Sequence, residues 1–255
     1  MIRLRRLSKR YGETEAVREL DLDVPTGQVV ALLGPNGAGK STTVKMLCGM
    51  VPPTAGTAEV FGLDVVRESV EVKRIVGYVP ESGAVFETLT GWEYLTLVAA
   101  LYHLAPADAA PRVRRFAELF ELSERTLHRE QLGAYSKGMR QRVVIAAALL
   151  HNPRAIFFDE PLSGLDANAA LVFKALIASL AREGKTIVYC SHLLDVVERV
   201  CERVVILDQG RIVADGSVAE LRQRTGEESL ERVFNRLTAT EDLLARAAAF
   251  ARTLA

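Results

Sequence analysis

Gly34-Pro35-Asn36-Gly37-Ala38-Gly39-Lys40-Ser41-Thr42 is the most informative segment of this chain. It fits the phosphate-loop template G-x-x-x-x-G-K-[ST], with Gly34, Gly39, Lys40 and Ser41 at the fixed positions. Val29-Val30-Ala31-Leu32-Leu33 before it reads as a buried strand. Thr43 to Met50 after it puts Val44, Met46, Leu47 and Met50 at mixed helical spacing. A strand, a glycine-rich turn and a helix N-terminus together make an anion site, because the backbone N–H groups point inward and the helix dipole adds positive potential. In such a loop Lys40 reaches the terminal phosphates and the Ser41 hydroxyl holds a magnesium ion. A loop that only turned the chain would not require the lysine–serine pair. The stretch predicts a site for a nucleoside triphosphate with magnesium.

Working outward, the first third reads as β-rich. Ile2 to Leu7, Ala16 to Val24 and Gln28 to Leu33 are expected strands, divided by turns at Tyr11-Gly12 and Pro25-Thr26-Gly27. Two more short strands are expected at Thr57 to Phe61 and Ile75 to Val79, the second ending at Pro80-Glu81. From Thr90 to Leu150 the pattern is helical. Trp92, Leu95, Val98, Ala99 and Tyr102 share one face, and Val113, Phe116, Leu119 and Phe120 another. Pro106 and Pro111 fit helix starts better than interiors. Alternation then resumes, with strands at Ala155 to Phe158, Thr186 to Cys190, Val204 to Leu207 and Arg211 to Ala214, and helices at Ala169 to Arg182 and Leu193 to Val200. This order implies an α/β fold whose mostly parallel sheet is covered on both faces, with a block of helices inserted into it. After Ser217 the sequence is charged and helix-prone, and reads as a surface helix pair. The phosphate loop occurs once, so the chain holds no tandem pair of nucleotide domains.

Composition narrows the class. The 255 residues are 49% hydrophobic, enough for one large core or two modest ones. Thirty-two basic side chains balance thirty-two acidic ones, so no global field attracts nucleic acid or anionic lipid. The longest apolar runs, such as Val143 to Leu150, are far shorter than a membrane span needs, and Arg and Lys interrupt the first ten residues. Cys48, Cys190 and Cys201 are widely spaced among apolar residues and read as reduced core thiols. The expected setting is the cytosol, or a membrane surface reached through a partner.

Two further motifs specify the chemistry. In Arg154-Ala155-Ile156-Phe157-Phe158-Asp159-Glu160-Pro161 a buried strand ends in two carboxylates at its mouth, where ligands sit in open α/β sheets. Asp159 is suited to the magnesium shell, and Glu160 to polarising a water in line with the terminal phosphate. Assistance of that kind is typically worth roughly a hundred- to ten-thousand-fold in rate. Tyr135-Ser136-Lys137-Gly138-Met139-Arg140-Gln141-Arg142 then precedes the apolar helix Val143 to Leu150.

With this third motif the chain resembles the ATP-binding-cassette (ABC) ATPases, whose signature L-S-G-G-Q falls at the same place in the order. The resemblance runs from Met1 to about Gly216. It implies a P-loop NTPase cassette with a mostly parallel sheet core, an N-terminal antiparallel β subdomain and a helical subdomain over about residues 82–150, followed by a helical extension at 217–255. It further implies that Tyr11 stacks on adenine, that Ser163-Gly164-Leu165-Asp166 is the D-loop, and that His192 is the switch histidine at the terminal phosphate. The signature keeps Ser136 and Gly138 while Tyr135, Lys137 and Met139 replace Leu, Gly and Gln. In the family these groups act on ATP held by the other protomer, which implies a head-to-tail pair of cassettes. Y-S-K-G-M-R-Q-R is similar to the variant in cassettes that serve exporters with a separate permease. Gly77-Tyr78-Val79-Pro80-Glu81 carries Glu where the family usually has a magnesium-touching Gln; a carboxylate is also a hard oxygen ligand.

The expectation is an ATP-hydrolysing subunit of a membrane exporter, on the cytoplasmic face of the membrane through its permease, with ATP and Mg2+ as cofactors. The alternative is a soluble ABC ATPase acting on nucleic acid or ribosomes. Zero net charge and the lack of coiled-coil insertions or paired cassettes speak against it, and no nucleic-acid partner is expected. A GTPase would need an Asn-Lys-x-Asp segment and a serine hydrolase a G-x-S-x-G elbow, and neither occurs.

Overall fold

Strand side chains alternate between faces, and in this chain both faces are apolar. That pattern builds a sheet buried on two sides. The computed structural model describes residues 1–191, 194–238, 250, 252 and 253. Its larger sheet has six strands: β3 (Val29–Leu33), β6 (Val76–Val79), β7 (Ala155–Asp159), β8 (Thr186–Cys190), β9 (Arg203–Asp208) and β10 (Arg211–Gly216), in the order β10-β9-β3-β8-β7-β6. All neighbours run parallel except the β9–β10 edge hairpin. Along β3, Val30 and Leu32 face one core while Val29, Ala31 and Leu33 face the other, and β7, β8 and β9 divide in the same way.

The first core is closed by a second, antiparallel sheet ordered β2-β1-β4-β5, from β1 (Ile2–Tyr11), β2 (Thr14–Val24), β4 (Ala55–Val60) and β5 (Leu63–Asp64). β1 runs on past Leu7 because the hairpin closes at the Tyr11–Thr14 pair around Gly12. Between the two sheets lies α1 (Lys40–Leu47), with Val44, Met46 and Leu47 buried. It starts three residues earlier than the hydrophobic spacing alone suggests. Its first turn is set by the glycine-rich loop and not by an apolar stripe.

Helix α2 (Ser69–Ile75) falls in a stretch the sequence reading left without an element, and it takes Ile75 out of the expected strand. Val72 is its one buried position, so no amphipathic stripe announces it. The inserted helices are α3 (Gly91–Leu101), α4 (Pro106–Leu119), α5 (Glu124–Arg129), a 3₁₀ turn at Leu132–Ala134 and α6 (Lys137–Leu149). Pro111 lies inside α4 and not at a helix start. It is tolerated because Ala107, whose carbonyl it leaves without an N–H partner, is an exposed residue. Helix α6 joins the block to the sheet: Val143, Ala146 and Ala147 pack among the inserted helices, while Val144, Ile145 and Ala148 pack on the sheet. The remaining helices α7 (Ala167–Arg182), α8 (Leu194–Val200), α9 (Val218–Thr225) and α10 (Leu230–Leu237) cover the same sheet face, the last two through Leu221, Leu230 and Val233. Among the described residues no helix is long and apolar enough to cross a membrane. The three cysteines are buried and unpaired with one another.

Candidate functional site

The mouth of the parallel sheet collects most of the residues singled out from sequence. After β3 the chain turns at Gly34, where a Cβ would lie 2.4 Å from the Leu207 carbonyl oxygen, and enters α1 through Gly39. Gly39 has φ +101° and packs so closely that a Cβ would meet the Ala16 carbonyl oxygen of β2 at 2.5 Å. Glycine at these two positions lets the loop lie against the backbone of both sheets. No side chain caps α1 and no acidic residue sits in its first turn, so the positive end of the helix is open to an anion. The Lys40 ammonium donates to the loop carbonyls of Gly34 (2.6 Å) and Pro35 (3.1 Å), which holds it over the cradle.

Asp159, at the end of β7, is 3% exposed. Ser41 and Tyr78 line the cavity wall beside it. Burial raises its carboxyl pKa above the ordinary value, with Glu81 adding to the rise; Ser41, Lys40 and Lys45 oppose it. Glu160 follows at φ +49°, in a left-handed conformation that costs a non-glycine residue on the order of 1–3 kcal/mol and that clusters at functional sites. Its amide donates to the Cys190 carbonyl of β8 (2.9 Å), and one carboxylate oxygen accepts from Ser191 (3.3 Å).

One cavity of about 1120 Å³ is lined by Gly34 through Thr42 together with Tyr11, Glu81, Asp159 and Glu160. Tyr11 presents a half-exposed ring with the Lys9 ammonium 5.0 Å from its centre. Gln209, in the β9–β10 turn, and Phe234 of α10 line the same cavity. Sequence reading missed both. The Leu230, Val233, Phe234, Leu237 spacing gives α10 an apolar face, but nothing in it points to the cleft. An adjoining cavity of about 1010 Å³ runs between the sheet and the inserted helices, and Ser41, Glu81 and Asp159 also line it.

Ser136, Gly138 and Asp166 do not join this cleft within one chain. Ser136 caps α6 by accepting from the Met139 amide (3.2 Å), and Asp166 caps α7 by accepting from the Ala169 amide (2.9 Å) while pairing with Arg142. Gly138 is pressed against the loop that follows Glu160, where a Cβ would lie 2.5 Å from the Gly164 carbonyl oxygen. His192 lies outside the described residues.

The donor set suits magnesium. The Ser41 hydroxyl and the carboxylates of Asp159 and Glu81 line the same space, and all are hard oxygens. Among the described residues no three His, Cys, Asp or Glu side chains converge as a metal site.

A sequence model of the ABC transporter family matches residues 17–163, from β2 through the carboxylate pair. This chain belongs to the ABC transporter family. Among its curated ABC relatives are NatA of Bacillus subtilis, an ABC transporter ATP-binding protein 35% identical over 92% of this chain and 96% of its own length, and the daunorubicin/doxorubicin resistance ATP-binding protein DrrA of Streptomyces peucetius, 38% identical over 88% and 67%. An uncharacterized ABC transporter ATP-binding protein of Synechocystis is 37% identical over 82% of the chain and 58% of its own length, and one of Nostoc is matched over 61% of its length. The chain thus spans about three-fifths of these last two relatives. Among solved structures, an ATP-binding subunit of an ABC transporter superposes with a TM-score of 0.87 at 33% identity, over 93% of this chain and 99% of that one. The ABC cassette MJ0796, a dimer in a post-hydrolysis state with ADP and Pi, gives 0.79 at 26% identity over 85% and 98%.

Proposed function

We propose that this chain is the ATP-binding and ATP-hydrolysing subunit of an ABC transporter, which energises a separate membrane permease for export. The observation that carries the reading is the convergence, in one cleft, of the Lys40 cradle, the Ser41–Asp159 pair and Glu160. The backbone N–H groups of residues 37–42 and Lys40 hold the triphosphate, and Tyr11 stacks on the base. Ser41 and Asp159, with Glu81 beside them, would hold a magnesium ion, which when bound would supply positive charge at the terminal phosphates. Glu160 accepts the proton of a water aligned with the terminal phosphate, and His192 contacts that phosphate. The strained backbone of Glu160, fixed by the Cys190 and Ser191 bonds, keeps its carboxylate at the sheet mouth.

Ser136, Gly138 and Asp166 lie away from this cleft, which supports their acting on ATP held by a second cassette. MJ0796 is a dimeric cassette, which speaks for the same arrangement here. Residues 1–216 form the ATPase unit, to which α9 and α10 are appended. The chain sits on the cytoplasmic face of the membrane through its permease. Relatives named for resistance to daunorubicin and linearmycin favour export.

The test is steady-state ATP hydrolysis together with nucleotide binding. The wild-type chain hydrolyses ATP in a magnesium-dependent way, and Lys40→Ala abolishes binding. Affinity capture from solubilised membranes recovers a multi-span protein. Recovery of ribosomes or DNA instead would support the soluble alternative.

A further inference from the structure

Helix α6 and the loop after Glu160 are joined more closely than helix capping requires. Residues 137, 138, 141 and 142 share one face of α6, and each meets a different point of that loop. The Gln141 amide donates to the Pro161 carbonyl (3.1 Å) from a position 2% exposed, and Arg142 pairs with Asp166. These two hold the ends of the loop. Gly138 lets the loop backbone approach at Gly164. The middle of the loop is held by Lys137. Its ammonium donates to the Ser163 hydroxyl at 2.9 Å, and its methylenes lie over Gly164, where a Cβ would come within 2.9 Å of Cγ and 3.0 Å of Cδ. The Ser163 amide in turn donates to the Glu160 carbonyl (3.1 Å).

We propose that Lys137 is a positioning residue that locks the middle of the loop after Glu160 to the first turn of α6, so that the signature residues Ser136 and Gly138 move as one body with the backbone of Glu160. The inference rests on the reading of Ser136 and Gly138 as contacts to ATP on a second cassette. It adds a mechanical link between that contact and the chain's own hydrolytic carboxylate. A long, exposed lysine loses rotamer freedom when held at one acceptor. The stem lying on Gly164 offsets this by covering loop backbone with methylenes. A side chain at this position that reached only into solvent would have no reason to lie across the loop. The order of links is then Ser136 and Gly138 at the helix start, Lys137 across to Ser163, and Ser163 back to Glu160. Engagement of the helix start by a partner's ATP is felt at Glu160 through this chain of contacts.

Two measurements on the full chain test it. In hydrogen exchange without nucleotide, Lys137→Met speeds the amides of residues 162–166 by about fivefold and leaves β7 unchanged, as expected for one lost charged hydrogen bond. In steady-state hydrolysis, Lys137→Met lowers kcat about five- to tenfold with KM for ATP unchanged. Ser163→Ala does the same, the double variant is no slower than either single one, and Lys137→Arg recovers most of the rate. Unchanged exchange overturns the proposal. So does an unchanged kcat in Lys137→Met beside an active wild type, or single effects that multiply in the double variant. A wild-type chain that hydrolyses no ATP refutes the proposed function instead, while the exchange result still decides whether Lys137 holds the loop.

Discussion

Asp159→Asn should make the nucleotide-free protein more stable while removing its response to nucleotide. The carboxylate is buried, with a raised pKa whose leading cause is that burial. Burial makes its ionised form costly, and Lys40 and Lys45 offset that cost only in part. Asparagine keeps the shape and a carbonyl oxygen beside Ser41 and Tyr78. A single stabilising substitution is typically worth about 0.5–2 kcal/mol. An imperfect carboxamide hydrogen bond takes back up to about 1 kcal/mol. The net gain is about 1 kcal/mol, which for a 255-residue chain is roughly 2 °C in Tm. With magnesium and a non-hydrolysable ATP analogue at a hundred times its Kd, the wild type gains about 2.7 kcal/mol, or roughly 5 °C. The variant gains little, so the order of the two melting temperatures reverses. Thermal melts with EDTA, and then with magnesium and analogue, read this directly. A variant that melts below the wild type in EDTA, or that shifts fully with the analogue, would refute the reasoning.

Further predictions follow from the same geometry. His151 stacks on Tyr102 with ring centres 3.7 Å apart, bonds the Val76 carbonyl through Nε2, and has its pKa lowered chiefly by burial. A lowered folded pKa means that the unfolded chain takes up the proton first, so stability is lost as pH falls below the ordinary histidine range. His151→Phe, which keeps the stack, should flatten the loss of Tm between pH 7.5 and pH 5, measured by scanning fluorimetry. Gly138→Ala forces a Cβ into the Gly164 carbonyl. A displacement of about 1 Å there should cost about a hundredfold in ATP turnover, with ATP binding to the single chain unaltered in equilibrium titration.

The parts of the fold legible in sequence were those written in short-range pattern. β3, β7 and β8 are unbroken apolar runs because both faces are buried, and the phosphate loop, Asp159 and Glu160 follow such strands at fixed offsets. Strand order is a different matter. β3 sits between β8 and β9, partners more than 150 residues away in sequence, and no local periodicity records that choice. Helix α2 escaped because Val70 points to solvent and Val72 alone is buried. Pro111 sits inside a helix because its turn is solvated. In the site, Phe234 and the Lys137–Ser163 bond depend on tertiary packing. Lys137 read as a departure from the family signature, and its role became visible only once Ser163 and Gly164 were beside it.

The central claim is that the cleft at Lys40, Asp159 and Glu160 hydrolyses ATP and is completed by a second cassette. The most direct measurement is size-exclusion chromatography with light scattering on Glu160→Gln. This variant should show twice the mass of one chain with ATP, a return to single-chain mass with ADP, and hydrolysis lowered at least a hundredfold. A Glu160→Gln chain that stays single with ATP, or that hydrolyses ATP at the wild-type rate, would contradict it.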